Sequence, residues 1–291
     1  MEHINLVNNF KSDTPPPFSY VSLDTTEGSD CVGHWLWECA IFLPYIKDIS
    51  KNTTTSLKIL FRNRKEYKVK ILADFGFYES DIAYSPIMVP FGDGGQFQTR
   101  VHPSEEEYSV YVPQFSHIVN QLDNNNLFST RINRFRKYYI DSLPNISKTI
   151  PISYMARSNK ENYHLNPRRF ENMDAFCNLL NKYNVNIIRV DNLDSFKAQF
   201  EIILRTKVLI VEMGSAFAIN AGIIAADSHI ITFNDFFADN NHSHFILQRR
   251  LIKERNNTVD IFSKGSGHMH NPFSVNLEEF EQRLIDISSK N

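Results

Sequence analysis

His34 and Glu38 stand four residues apart in Cys31 to Lys47, a strongly apolar stretch that reads as a helix. Residues at that spacing share one helical face. Trp35, Leu36 and Trp37 surround them with apolar bulk. A carboxylate in such a setting can serve as a general base; the same two residues can equally satisfy each other inside a core. A second set of groups suits an anion. Gly214-Ser215-Ala216 joins small side chains to a helix start, where backbone amides and the helix dipole favour negative charge. Arg157, Arg168 and Arg169 lie in and after the loop that follows an apolar strand, and guanidinium forks match pyrophosphate oxygens. Simple packing and a solvated loop are the bland readings of these two features. His242/His244 and His268/His270 are His-X-His pairs without a third ligand at a zinc spacing, so they read as loop histidines.

The elements that must position these groups are legible from periodicity. Val21-Ser22-Leu23 reads as a short strand, and Asp30 or Ser29 can cap the helix that starts at Cys31. Pro44 is expected to kink or stop that helix. Leu57–Phe61 alternates as a strand, and Lys65 to Phe75 is helical, with Gly76 at the stop position. Ile87–Val89 and Tyr108–Val112 read as strands, and Gly92–Gly95 as a turn. Phe128 to Tyr139 reads as a helix with a wet basic face. Asp141 to Ile150 is the linker candidate. Beyond it, strands at 150–156, 185–190, 208–212 and 229–233 alternate with helices at 172–183, 195–205 and 216–225. That alternation predicts a parallel, doubly wound sheet. An amphipathic helix over 276–288 closes the chain. Ligands of such sheets bind beyond the carboxyl ends of strands, which selects the loop after Ala156 and the segment Glu212–Ala216.

Length and charge set the outer bounds. The 291 residues suit two domains, and a net charge of −2 argues against a protein that holds nucleic acid by its overall field. The 23 phenylalanines point to aromatic-rich cores. Three cysteines match neither a zinc spacing nor a disulfide framework, and fit a reducing compartment. The apolar run Val208 to Ala226 contains Glu212, Gly214, Ser215 and Asn220, so it reads as a buried strand and helix rather than a membrane span. No signal peptide is visible at the start.

Taken in order, the motifs resemble glycosyltransferase family 61. Gly33-His34-Trp35-Leu36-Trp37-Glu38 is similar to the family's Gly-His-Trp-Leu-X-Glu helix. Tyr154-Met155-Ala156-Arg157, followed by Arg168-Arg169-Phe170-Glu171-Asn172, resembles its Tyr-Ile-Ser-Arg strand and later Arg-X-X-Asn, with Arg169 and Asn172 in register. Val211 to Asn220 resembles the bacterial Glu-Gly-Ser-Ala-Leu-X-Asn form. Plant and animal members more often carry a histidine where Gly214 stands, which puts any role of that histidine in doubt here.

The resemblance implies an α/β, GT-B-like fold: two Rossmann-like domains facing a cleft. Residues 1–142 would form the acceptor side, 148–272 the nucleotide-sugar side, and 273–291 a closing helix packed back on the first domain. It implies an inverting, metal-independent glycosyltransferase with no cofactor beyond its nucleotide-sugar donor. The acceptor would be an oligosaccharide or lipid-linked glycan, as in bacterial capsule, lipopolysaccharide or other surface-polysaccharide synthesis. The enzyme would be cytoplasmic, with at most peripheral membrane contact, and nucleic acid is not a partner. Glu38 is the first choice of base and His34 the second. Arg157, Arg168, Arg169 and the amides at Ser215 and Ala216 would meet the diphosphate, and Gly214 would belong to the same nucleotide-sugar site. Glu212 would take a ribose hydroxyl or cap the helix, and Asn220 would hold the ribose or the helix start. A polysaccharide pyruvyltransferase, and a non-catalytic nucleotide- or glycan-binding protein on the same fold, are the competing readings.

Overall fold

Two sets of short apolar runs alternating with helix-period segments give a mostly parallel sheet in the first half of the chain and a fully parallel one in the second. The computed structural model describes residues 19–24, 31–52, 57–84, 95–100, 107–112, 125–156, 170–233, 243–262 and 272–289. It divides into two compact units, Met1–Tyr139 and Ile140–Asn291. Both have the mixed α/β character of a GT-B-like chain.

The first unit holds β1 (Ser19–Ser22), β2 (Leu57–Phe61), β3 (Ile82–Tyr84), β4 (Gly95–Arg100) and β5 (Glu107–Val112), in the order β3-β2-β1-β5-β4. β1, β2, β3 and β5 are parallel, and β4 runs antiparallel to β5. Among the described residues four α-helices accompany them: α1 (Val32–Glu38), α2 (Leu43–Asn52), α3 (Glu66–Asp74) and α4 (Asn125–Asp141). The division between the units falls in the last turn of α4.

Three local expectations are corrected here. The helix expected from Cys31 to Lys47 is two helices joined by a 3-10 turn over Ala40–Phe42. Pro44 does not stop it. It sits in the first turn of α2, where no intrahelical N–H is required of it. The basic face of α4 is not wholly wet. Arg131 is buried with its guanidinium 4.6 Å from the Phe42 ring centroid. Arg134 lies 4.1 Å from the Tyr45 ring centroid and pairs with Asp48. Planar guanidinium groups stack on aromatic faces, so arginine at a helix interface reads as polar while acting as packing.

The stop of α3 follows the sequence. Gly76 takes φ 78°, and the amides of Gly76 and Phe77 return to the carbonyls of Ala73 and Leu72 at 2.9 and 3.0 Å. This Schellman arrangement needs a left-handed residue, which glycine supplies without a Cβ clash. The strand expected at 87–89 lies outside the described residues, as does the turn expected at Gly92–Gly95 except for Gly95, which opens β4.

The second unit holds β6 (Ile150–Ala156), β7 (Asn186–Arg189), β8 (Thr206–Glu212), β9 (His229–Phe233) and β10 (Thr258–Phe262), all parallel, in the order β10-β9-β8-β6-β7. The helices are α5 (Met173–Lys182), α6 (Phe196–Arg205), α7 (Ser243–Glu254) and α8 (Leu277–Ser288), with a π-helical segment at Phe217–Ile224. Side chains alternate across each strand. Ile152, Tyr154 and Ala156 of β6 therefore share a face with Val208 and Ile210 of β8 and with Ile231 and Phe233 of β9. That face packs on Phe176 and Leu180 of α5 and on Phe280, Leu284 and Ile287 of α8. The phenylalanine richness is spent here: Phe176 meets Phe233 at 5.4 Å and Phe280 at 5.0 Å between ring centroids.

The apolar stripe of α8 is part of the second unit's own core. The stripe at 280, 284 and 287 announces one buried face without saying which sheet receives it. Its start follows expectation, since the Asn276 side chain accepts the Glu279 amide at 3.3 Å. Among the described residues no helix is long and apolar enough to cross a membrane. The apolar run 208–226 is a buried strand followed by a buried helix.

Candidate functional site

In each sheet the chain leaves one central strand in one direction and later returns to its other side. That reversal lies between β1 and β5 in the first sheet and between β6 and β8 in the second. Loops at the carboxyl ends of strands diverge at such a point and leave a crevice for ligands. The two motif sets follow strands that border these reversals.

The first set follows β1. Helix α1 begins after Cys31, with no side-chain cap bond. The expected caps Ser29 and Asp30 lie outside the described residues. Burial holds the helix instead: Trp35, Leu36 and Trp37 are all enclosed. The Trp35 indole N–H donates to the Leu23 carbonyl at 2.7 Å, which fixes α1 against the end of β1. The Trp35 ring is flanked by Phe61 at 6.0 Å and Tyr67 at 5.8 Å.

On this platform His34 Nδ1 lies 3.0 Å from Glu38 Oε1. The two groups differ sharply in access. The His34 side chain is 38% exposed and that of Glu38 only 1%. Glu38 Oε2 is buried and has no hydrogen-bond partner among the described residues. The hydrogen bond that His34 donates to Glu38 holds the His34 pKa above its usual 6.5; burial opposes this, and the attraction of the carboxylate adds to it. A carboxylate on Nδ1 selects the tautomer that carries the proton there and leaves Nε2 as the basic nitrogen. The pair is therefore brought together as its spacing implies, with the histidine as the reachable member.

Sequence reasoning missed what braces this platform. Asp24, two residues beyond β1, accepts from Lys68 Nζ at 2.6 Å and from the Arg62 backbone N–H at 2.7 Å. Both partners of the ion pair are buried. Burial raises the Asp24 pKa, and Lys68 and the two hydrogen bonds offset part of that rise. The Lys68 ammonium also lies 5.1 Å from the Phe61 ring centroid and 5.9 Å from that of Trp35. The available signal was Lys68 itself. It occupies the apolar stripe of α3, four residues before Leu72 and three before Ile71, where a lysine is out of place unless paired.

The second set follows β6 and β8. Arg157, Arg168 and Arg169 lie outside the described residues. The chain resumes at Phe170 and is firmly tied there. The Glu171 amide donates to the Phe273 carbonyl at 2.9 Å. The Asn172 side chain donates to the Val275 carbonyl at 2.7 Å and accepts the Val275 amide at 3.1 Å.

At the end of β8, Glu212 is buried and accepts the Tyr154 hydroxyl at 2.8 Å. The carboxylate of the strand end thus binds the neighbouring strand. Gly214 follows with φ 120°, a conformation that L side chains rarely adopt. Gly214, Ser215 and Ala216 are half-buried between the enclosed strand and the enclosed helix. The Ala218 amide donates to the Gly214 carbonyl at 2.9 Å. The following turns are π-helical, with Ala225 N–H reaching the Asn220 carbonyl at 2.8 Å. π-Turns recur where a helix serves a functional site.

Asn220 is buried and bonded at both ends of its side-chain amide. Its Nδ2 donates to the Ala216 carbonyl at 2.8 Å, and its Oδ1 accepts Gln199 Nε2 at 2.6 Å. Of the two roles open to it, holding the helix start is the one its bonds serve. Gln199 was not apparent from sequence, because a single glutamine in α6 carries no pattern. Of the two His-X-His pairs, His242, His268 and His270 lie outside the described residues. Among the described residues no group of three His, Cys, Asp or Glu is placed to hold a metal.

A family model described as Glycosyltransferase 61 matches residues 32–231, more than half of the chain. The match spans α1 with His34 and Glu38, β6, and the β8 turn with Gly214–Ala216. No curated protein matches the sequence.

Proposed function

The chain belongs to glycosyltransferase family 61, and on that premise we propose that it moves a sugar from a nucleotide-sugar donor to a hydroxyl of a glycan acceptor with inversion at the anomeric carbon. The proposed setting is synthesis of bacterial capsule, lipopolysaccharide or another surface polysaccharide, on the cytoplasmic side of the membrane. The reaction needs no metal in this reading. The first unit is assigned the acceptor and the base, and the second unit the donor diphosphate.

The observation that carries the reading is the His34–Glu38 pair, in a chain of this family, on the helix that follows a reversal-point strand. The acceptor oxygen forms a bond to the anomeric carbon. The carbon–oxygen bond to the nucleotide breaks on the opposite face, and its electron pair leaves on the diphosphate. The acceptor proton passes to His34 Nε2. Glu38 stabilises the resulting imidazolium through Nδ1 and holds the ring in place. Access supports the histidine as the base in this reading: a carboxylate 1% exposed is poorly placed to receive a proton from a glycan hydroxyl, and the histidine it grips is 38% exposed. This reverses the preference for Glu38 that sequence alone suggests.

Charge on the leaving diphosphate is assigned to the first turn after Gly214, where the helix dipole adds to the amides of 214–216, together with Arg157, Arg168 and Arg169. Asn220 supports that turn from within the unit, and Glu212 ties the end of β8 to β6. A transfer assay over a panel of nucleotide sugars tests the reading. His34→Ala should lower transfer about 10²–10⁴-fold while nucleotide binding persists. Full turnover in that variant removes His34 as the base.

A further inference from the structure

We infer that Tyr84, Arg64 and Glu79 form a distal acceptor subsite on the first unit, which grips a sugar beyond the one that is attacked and so selects an oligosaccharide over a monosaccharide. The inference rests on the acceptor assignment made above and gives that acceptor a minimum length.

Topology places this cluster on the same end of the sheet as His34. β1, β2 and β3 are parallel neighbours, so their carboxyl ends lie side by side. The Trp35 indole fixes α1 against the end of β1. Arg64 stands in the loop that leaves β2, and Tyr84 is the last residue of β3. The Arg62 amide, bonded to Asp24 at 2.7 Å, ties the start of that loop to the chain just past β1. Tyr84 is in register with Phe61, so the two side chains share a face of the sheet. The Trp35 ring packs on Phe61 with centroids 6.0 Å apart, which brings α1 to that same face.

Distance then separates the cluster from the reacting hydroxyl. Neighbouring strands stand about 4.8 Å apart, so the end of β3 lies about 10 Å from that of β1. One sugar ring does not span that gap. An acceptor laid across the strand ends, with its nucleophile at His34, brings a later residue to Tyr84.

The chemistry of the cluster suits a sugar. Among the described residues the exposed aromatic side chains are Tyr78 and Tyr84, at 62% and 36%, while Phe61, Phe75 and Phe77 nearby in the chain are enclosed. The two tyrosines bracket Glu79. Tyr78 precedes it in the chain, and the Tyr84 hydroxyl donates to Glu79 Oε1 at 3.4 Å. Arg64 Nε donates to the same oxygen, also at 3.4 Å. Both bonds are long, and the Arg64 and Glu79 side chains are 60% and 57% exposed. An ion pair so open to water contributes little to stability, so a structural duty does not account for the arrangement. Glu79 keeps a second carboxylate oxygen, and Arg64 its remaining N–H donors. Adjacent hydroxyls of a pyranose donate to a carboxylate and accept from a guanidinium, and the C–H face of the ring lies flat on an aromatic side chain. Binding energy collected at such a distance is useful when it holds the reacting end in place.

The test is an NMR titration of the full chain with mono-, di-, tri- and tetrasaccharides of glucose, galactose, mannose and N-acetylglucosamine. Wild type is compared with Tyr84→Ala and Arg64→Ala. Wild type should bind the tri- and tetrasaccharides of its preferred sugar about tenfold more tightly than the monosaccharide, and each variant should lose most of that advantage. Arg64 is exposed, so its variant gives a reading if Tyr84→Ala fails to fold. Folded variants that keep the wild-type preference for longer glycans overturn the inference, and so does a wild type that binds all lengths equally. A change in sedimentation of Tyr84→Ala with glycan affinity untouched makes the patch a contact between copies, which also overturns it. A wild type that binds no saccharide of the panel removes the acceptor assignment itself, and that outcome is visible before any variant is made.

Discussion

In the first unit the helix that follows the reversal-point strand is braced by charge, and in the second by neutral amides. Lys68 and Asp24 form a buried ion pair beneath Trp35, next to His34. Gln199 and Asn220 form a buried amide relay beneath the turn at Gly214. Both braces sit under the helix that follows a strand of a parallel sheet. The difference follows from what each helix has to carry. A cation and an anion that cancel leave the electrostatics of a titrating histidine to its own partner, Glu38. Neutral amides leave the field of a helix N-terminus undiminished for an anion. A carboxylate in place of Asn220 would oppose the ligand assigned to that turn.

The comparison can be broken most forcefully at Lys68. Removing one member of a buried ion pair strands the other charge, so Lys68→Met should destabilise the first unit by about 3–5 kcal/mol. Chemical denaturation of Lys68→Met and of the double variant with Asp24→Leu checks this. The double variant should recover part of the loss, because no buried charge is left alone. Phe280→Ala follows at about 3–5 kcal/mol. It should expose the second unit to proteolysis and leave the first unit's fragment pattern unchanged, since Phe280 packs on Phe176 and Phe233.

Gly214→Ala probes the turn itself. A Cβ at φ 120° costs about 1–3 kcal/mol, read as a shift in denaturation midpoint, and should weaken diphosphate binding as well. The smallest effect concerns His34. Its raised pKa means the folded state binds a proton more tightly than the unfolded chain. The stability from that proton is fully present below pH 6.5 and is lost as pH rises through the folded pKa. Wild type should therefore show a slight fall in stability over that window, and Glu38→Gln should show less of one.

The sequence carries this comparison unevenly. Strand and helix alternation exposes the second sheet, because β6, β8 and β9 are apolar runs between amphipathic helices. The His34–Glu38 spacing shows the pair, since four residues is one turn. Which of the two faces outward was not legible: both sit among tryptophans, and exposure depends on which side of α1 the end of β1 covers. The break between α1 and α2 was hidden because Pro44 is compatible with a helix start as well as a helix stop. Arg131 and Arg134 looked like a solvated face because stacking on Phe42 and Tyr45 brings together residues from different helices. Asp24 and Gln199 escaped for the same reason, as each acts through a partner distant in sequence, and Lys68 signalled a buried partner without naming it.

The central claim is that His34 takes the proton and Glu38 tunes it. The dependence of kcat/KM on pH, measured for wild type, Glu38→Gln and His34→Gln, tests it most directly. In wild type, activity should rise with pH as His34 loses its proton, at a pKa above 6.5. Glu38→Gln should retain reduced turnover with that limb moved to lower pH, and His34→Gln should lose the limb together with most of the rate. A Glu38→Gln enzyme without turnover, beside a His34→Gln enzyme that still transfers sugar, would contradict the account and make Glu38 the base.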